Sequence, residues 1–67
     1  MNKFAERLRD VLKEKQISQN ELAVKIGMSR TIVNNYCTGK REPTLDSLIL
    51  ICKALSESAN YLLGLEN

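Results

Sequence analysis

Between Gly27, which can end a helix, and Ser29, which can begin the next, the chain leaves room for Met28 alone. Glycine enters the left-handed backbone that closes a helix without the penalty a Cβ brings, and a serine oxygen accepts from the free N–H groups of a first turn. The stretch IGMSRTIVNNY, residues 26–36, therefore brings two helices together across a very short turn, and they must cross steeply.

The rest of the chain punctuates in the same way. Phe4, Leu8, Val11 and Leu12 recur at helical spacing among charged residues, which predicts an amphipathic helix over 2–15, with Ile17 plugging the core from the turn behind it. SQNE, residues 18–21, has the form of a capping box and opens a second helix over 19–26, with Leu22, Ala23 and Ile26 inward. The third helix is expected over 30–37, with Gly39 as its stop. GKREPT is a loop, and Pro43-Thr44 starts a fourth helix over 45–55, where Leu45, Leu48, Ile49, Cys52 and Leu55 share a face and Leu50 lies on the polar side. Ser58 caps a last helix over 59–63, with Gly64 behind it. Five helices and no strand pattern predict an all-α fold, and 67 residues is one domain, near the lower size that folds without disulfides or metals.

Several classes of function fall away on composition. Cys37 and Cys52 could make at most one bridge, stand in no CxxC pattern, and have no histidine with which to complete a zinc set. No metal, cofactor or small-molecule ligand is therefore expected. The longest apolar run, Leu48 to Cys52, is far short of a membrane span, and MNKFAERLRD alternates charge instead of building a signal core. With reduced thiols, a cytoplasmic protein is expected. An enzyme is not, since no nucleophile stands with a base and no phosphate loop is present.

Net charge is only +2, but its distribution is uneven. From Leu22 to Arg41 the chain carries Lys25, Arg30, Lys40 and Arg41 and no acid; the other six basic residues are outnumbered by all eight acidic ones, so the window is +4 and the remainder −2. Such asymmetry is the footprint of a face that meets polyanions.

The third helix lies inside that window. At 100° per residue, Arg30, Thr31, Asn34, Asn35 and Thr38 fall within roughly 140° of arc, opposite Ile32, Val33, Tyr36 and Cys37. A face that needed only to be soluble would carry Glu, Lys and Gln, which are better helix formers than Asn and Thr. Arg and Asn instead make bidentate bonds to guanine and adenine edges in the major groove, and Thr offers a hydroxyl to a base and a methyl to thymine. A carboxylate there would be repelled by phosphate, and there is none.

The spacing SQ-x-ELA-x-KIG, SR, TGK-x-x-P, L-x-x-L-x-x-I-x-KAL and YLLG, together with the first helix, resembles the lambdoid phage repressor and Cro type of helix-turn-helix domain, the XRE family, over almost the whole chain. The resemblance implies a five-helix phage-repressor-like domain whose helices 2 and 3 form the helix-turn-helix. It implies that Arg30, Thr31 and Asn35 probe base edges with Asn34 beside them, and that Gln19 meets phosphate or an outer base. Ser18, Thr38, Lys40 and Arg41 would hold the sugar-phosphate backbone. The implied partner is double-stranded DNA, in a bacterial or phage-encoded regulator of the host cytosol. Three positions depart from the family pattern: Ser56 and Glu57 stand where Gly and an apolar residue are usual, and Ile32 where a small or polar one is.

One module reads a few base pairs, and each good contact discriminates by only about 1–3 kcal/mol. A homodimer on a near-palindromic operator, repressing by occupancy, is therefore expected, with Leu50, Tyr61 and Leu65 as candidate dimer contacts. The alternative is an antitoxin or adaptor that uses Val24, Leu50 and the last helix to bind protein.

Overall fold

Four of the helices in the computed structural model, which describes residues 2–66, begin at a hydroxyl side chain that accepts a backbone N–H three residues on. Ser18, Ser29, Thr44 and Ser58 open α2 (Gln19–Ile26), α3 (Arg30–Thr38), α4 (Leu45–Leu55) and α5 (Ala59–Leu63). At Ser18 the box is reciprocal: Glu21 N–H donates to the Ser18 hydroxyl at 3.0 Å, and Ser18 N–H donates to the Glu21 carboxylate at 3.1 Å. The first helix, α1 (Phe4–Lys15), starts two residues later than its apolar pattern suggests, where the Asn2 side-chain oxygen accepts from Phe4 N–H at 2.9 Å. The described residues contain five helices and no strand, an all-α fold, and none of these helices is long and apolar enough to cross a membrane.

Every helix is followed by a left-handed residue, but only three are glycines, namely Gly27, Gly39 and Gly64. Gln16 (φ 57°) and Ser56 (φ 52°) take the same conformation with a Cβ. Ser56 thus keeps the backbone of the glycine it replaces in the family pattern, at a conformational cost of about 1–2 kcal/mol. Ser56→Gly should relieve that cost, less what glycine's unfolded freedom takes back, for a net gain of about 0.5–1 kcal/mol in a urea titration.

The core is one cluster to which all five helices contribute, and part of it lies where α1, α2 and α3 meet. Leu8, Leu22 and Val33 are fully buried there, and the Phe4 ring meets Tyr36 edge-on at 6.4 Å. The Tyr36 hydroxyl donates to the Met28 sulfur at 3.7 Å, which ties the single turn residue to the helix it precedes. Ile17 packs half-buried against this cluster. On the far side Arg7 donates to the carbonyls of Tyr61 and Glu66 at 3.1 and 3.0 Å and lies 4.4 Å from the Tyr61 ring centroid, fastening α5 to α1.

The fourth helix differs from its sequence reading. Leu48 and Leu55 are buried, but their companions are Ile51 and Ser47, whereas Leu45 is 80% and Ile49 51% exposed and Cys52 only half-buried. The helix is turned by a little under one residue step of about 100°. A serine can face inward because it is satisfied locally: Thr44 Oγ1 donates to Ser47 Oγ at 3.0 Å and accepts from Ser47 N–H at 3.1 Å. The displaced residues, with Leu48, Lys53 and Ala59, line an open apolar trough of about 450 Å³ between α4 and α5.

Candidate nucleic-acid interface

The N-terminal ends of α2 and α3 come together at a shallow cleft of about 270 Å³ lined by Gln19, Arg30, Thr31 and Asn34. The capping box sets its first wall, because it fixes the start of α2 and hence Gln19. The second wall is α3, whose apolar side (Val33, Tyr36, Cys37) is buried and so turns Arg30, Thr31 and Asn34 to solvent. Asn35 is half-buried beside them. The first turn of α3 contains no acid, which leaves its N-terminal N–H groups and the Arg30 charge unopposed.

Two of these side chains are already joined. Asn34 Nδ2 donates to Gln19 Oε1 at 3.1 Å, so the pair offers outward the remaining amide donors and the Asn34 carbonyl oxygen as one array. Asn34, which the resemblance sets beside the base-probing residues, is thus half of a bridge between the two helices.

Beyond α3 the chain folds back on itself. Arg41 N–H donates to the Asn35 carbonyl at 3.2 Å, and the Thr38 hydroxyl reaches the same oxygen at 3.4 Å. The fold-back holds exposed Lys40 and Arg41 beside the end of the helix, and a phosphate oxygen could readily compete for the long Thr38 bond. Glu42, the acid that follows, accepts the Asn2 amide at 2.7 Å. Ser18 accepts through its oxygen from Glu21 N–H, which leaves its own O–H to donate outward.

Sequence reasoning missed Arg9. From α1 its Nη1 donates to the Cys37 carbonyl in the last turn of α3. The Cys37 thiol itself is pushed up by burial, with the Arg9 charge acting weakly the other way, so it is not a ready nucleophile. Nothing in the spacing of α1 distinguishes Arg9 from the charged residues around it.

The three residues suggested for a dimer seam differ in exposure. Leu65 is 73% and Leu50 43% exposed, while Tyr61 is half-buried under Arg7. None of them lines the apolar trough.

Comparison with known proteins agrees with this geometry. A family model described as HTH_3, helix-turn-helix, matches residues 8–62. The chain is 31% identical over 62 residues to the HTH-type transcriptional regulator YobD of Bacillus subtilis (strain 168), covering 92% of this chain and 55% of that protein. It spans about half the length of the curated relatives it matches. Among solved structures it superposes on the restriction-modification controller protein C.AhdI from Aeromonas hydrophila with a TM-score of 0.84 at 32% identity, covering 90% of this chain and 91% of that one. It superposes on the P22 c2 repressor, solved in complex with a synthetic operator, with a TM-score of 0.86 at 30% identity, covering 94% and 96% of the two chains. A helix-turn-helix assembled from α2 and α3 inside five helices, and a family match over most of the sequence, place this chain in the HTH_3 helix-turn-helix family.

Proposed function

We propose that the chain is a sequence-specific double-stranded-DNA-binding regulator that enters the major groove with α3 and represses by occupying a near-palindromic operator as a dimer. The observation that carries this reading is the acid-free polar face of α3, exposed at Arg30, Thr31 and Asn34 and opening onto the cleft shared with Gln19. Arg30 reads guanine, Asn35 adenine and Thr31 a neighbouring edge. The Gln19–Asn34 bridge presents its array to an outer base or phosphate, and Ser18, Thr38, Lys40 and Arg41 hold the backbone. The P22 c2 repressor, so similar in fold, was solved on a synthetic operator, which supports the same use of this face. Such a protein works in the cytosol, where its DNA lies.

For the dimer, the trough along Leu45, Ile49 and Cys52 is a better seam than Leu50 alone, because it is a continuous apolar strip. Asp46 and Lys53 flank it on α4, and two such helices packed antiparallel would set each acid opposite the other copy's lysine. Val24, 77% exposed on α2, and the same trough also suit the adaptor reading, but an adaptor has no reason to keep acids off α3.

The test is selection of duplexes from a random pool, followed by sedimentation on the enriched sequence. The expected result is a site of two related halves about 34 Å apart that holds two chains, with Ile49→Glu binding as single copies. One chain per site at saturation overturns the dimer, and an unenriched pool overturns the groove reading.

A further inference from the structure

We infer that Arg9 is a positioning residue for the recognition helix: from α1 it holds the C-terminal end of α3 and so sets the angle at which Arg30 and Thr31 meet the bases. The inference rests on the reading of α3 as the groove-entering helix and adds a residue that neither the family resemblance nor the sequence pattern assigns.

The end of α3 is closed unlike the others. At α1, α2, α4 and α5 the N–H of the residue after the helix turns back onto carbonyls of the last turn. Among the described residues no such bond is made at Gly39. The carbonyls left open there find other donors: Asn35 takes the Arg41 N–H from the loop beyond and the Thr38 hydroxyl of the helix itself, and Cys37 takes the Arg9 guanidinium. Of these only Arg9 belongs to another helix. A guanidinium at the negative end of a helix, donating to an orphan carbonyl, combines a charge-assisted bond with a favourable dipole interaction.

One turn before Arg9, Ala5 lies on the same edge of α1, and its Cβ is 3.8 Å from where a side chain on Gly39 would begin. Phe4 meets Tyr36 edge-on nearby. The α1 edge therefore abuts the C-terminal end of α3 through packing and is pinned to it by one charged bond.

The consequence is mechanical. A nine-residue helix is about 13 Å long, so a tilt of roughly 5° about one end moves the other by about 1 Å. Bidentate base contacts tolerate about 0.5 Å. Phosphate contacts from the flexible Lys40 and Arg41 side chains tolerate far more. Loss of Arg9 should therefore erode discrimination between sequences and leave general DNA affinity in place.

The experiment compares wild type, Arg9→Ala and Arg9→Lys on the wild-type-selected duplex and on random duplex across a salt series. Amide exchange in the last turn of α3 is followed in parallel, and Arg9→Ala is also made in the Ser56→Gly background so that a folded protein is measured. Arg9→Ala is expected to lose about tenfold or more on the selected duplex, to stay within about twofold on random duplex, and to keep its salt slope. Exchange in the last turn of α3 should quicken, and Arg9→Lys, which can still donate to the carbonyl, should recover most of both losses. An equal loss on both duplexes, with the slope falling by about one, would make Arg9 an ordinary phosphate contact and overturn the inference. So would unchanged affinity for the selected duplex with quickened exchange, which would leave Arg9 a helix cap and nothing more. Failure of the groove reading is visible separately, as wild type that binds both duplexes alike.

Discussion

Ile51→Ala should destabilise the fold by about 2–5 kcal/mol, while Ile49→Ala, two positions away on the same helix, should change monomer stability by no more than about 0.5 kcal/mol. Ile51 is fully buried, so truncating it removes packed methylenes and leaves a cavity that its neighbours fill only in part. Ile49 is half in water, and alanine is the better helix former, so lost contact and gained propensity nearly cancel. A chain of this size holds only about 3–10 kcal/mol in total, so Ile51→Ala alone could leave a large unfolded fraction at 37 °C. Urea titrations of the two variants at micromolar concentration, where a weak dimer is apart, check the contrast. Equal losses would mean that α4 packs on the face its sequence suggests.

That contrast marks where the fold was legible and where it was not. Helix starts were readable because capping is local: Ser18, Ser29, Thr44 and Ser58 each act on a backbone group three residues away. Stops were readable at Gly27, Gly39 and Gly64, where the residue type announces the conformation, and unreadable at Gln16, where packing imposes a left-handed backbone on an ordinary side chain. The α4 face was ambiguous because its apolar residues cover more than half its circumference. Leu45, Ile49 and Cys52 form one stripe and Leu48, Ile51 and Leu55 the next; only the placement of α2 and α5 selects between them. The small hydroxyl of Ser47, which favours the observed side, looks from sequence like a reason against it.

The interface divides in the same way. The polar face of α3 was visible because a run of Arg, Thr and Asn with no acid is an unusual way to write a helix surface. The Gln19–Asn34 bridge and the Arg9–Cys37 bond join residues 15 and 28 apart in the chain, and no local pattern encodes either. Such bonds follow from how the helices cross. They bear on angle and register, whereas the visible residues bear on chemistry.

The largest functional effect is expected at Arg30. Arg30→Ala should weaken binding to the selected duplex by about 1–3 kcal/mol, roughly 5- to 150-fold, and relax the preference at one base pair of each half-site. The guanidinium stands exposed at the first position of α3, with the Ser29 cap behind it and no acid in the turn to pair with it, so its donors are available to a guanine edge. Removing it leaves that edge without its bidentate partner, the contact that carries the discrimination. Lys40→Ala is the comparison. Lys40 lies past the helix end, exposed, on the loop pinned by the Arg41–Asn35 bond, and in the proposed reading it neutralises a phosphate and meets no base. Its loss should weaken selected and random duplexes alike and lower the salt slope by about one. Were the two substitutions indistinguishable on the two duplexes, α3 would be touching DNA only through charge. The polar face would then need another explanation, because charge alone is better served by lysines than by two asparagines and a threonine that cost the helix stability.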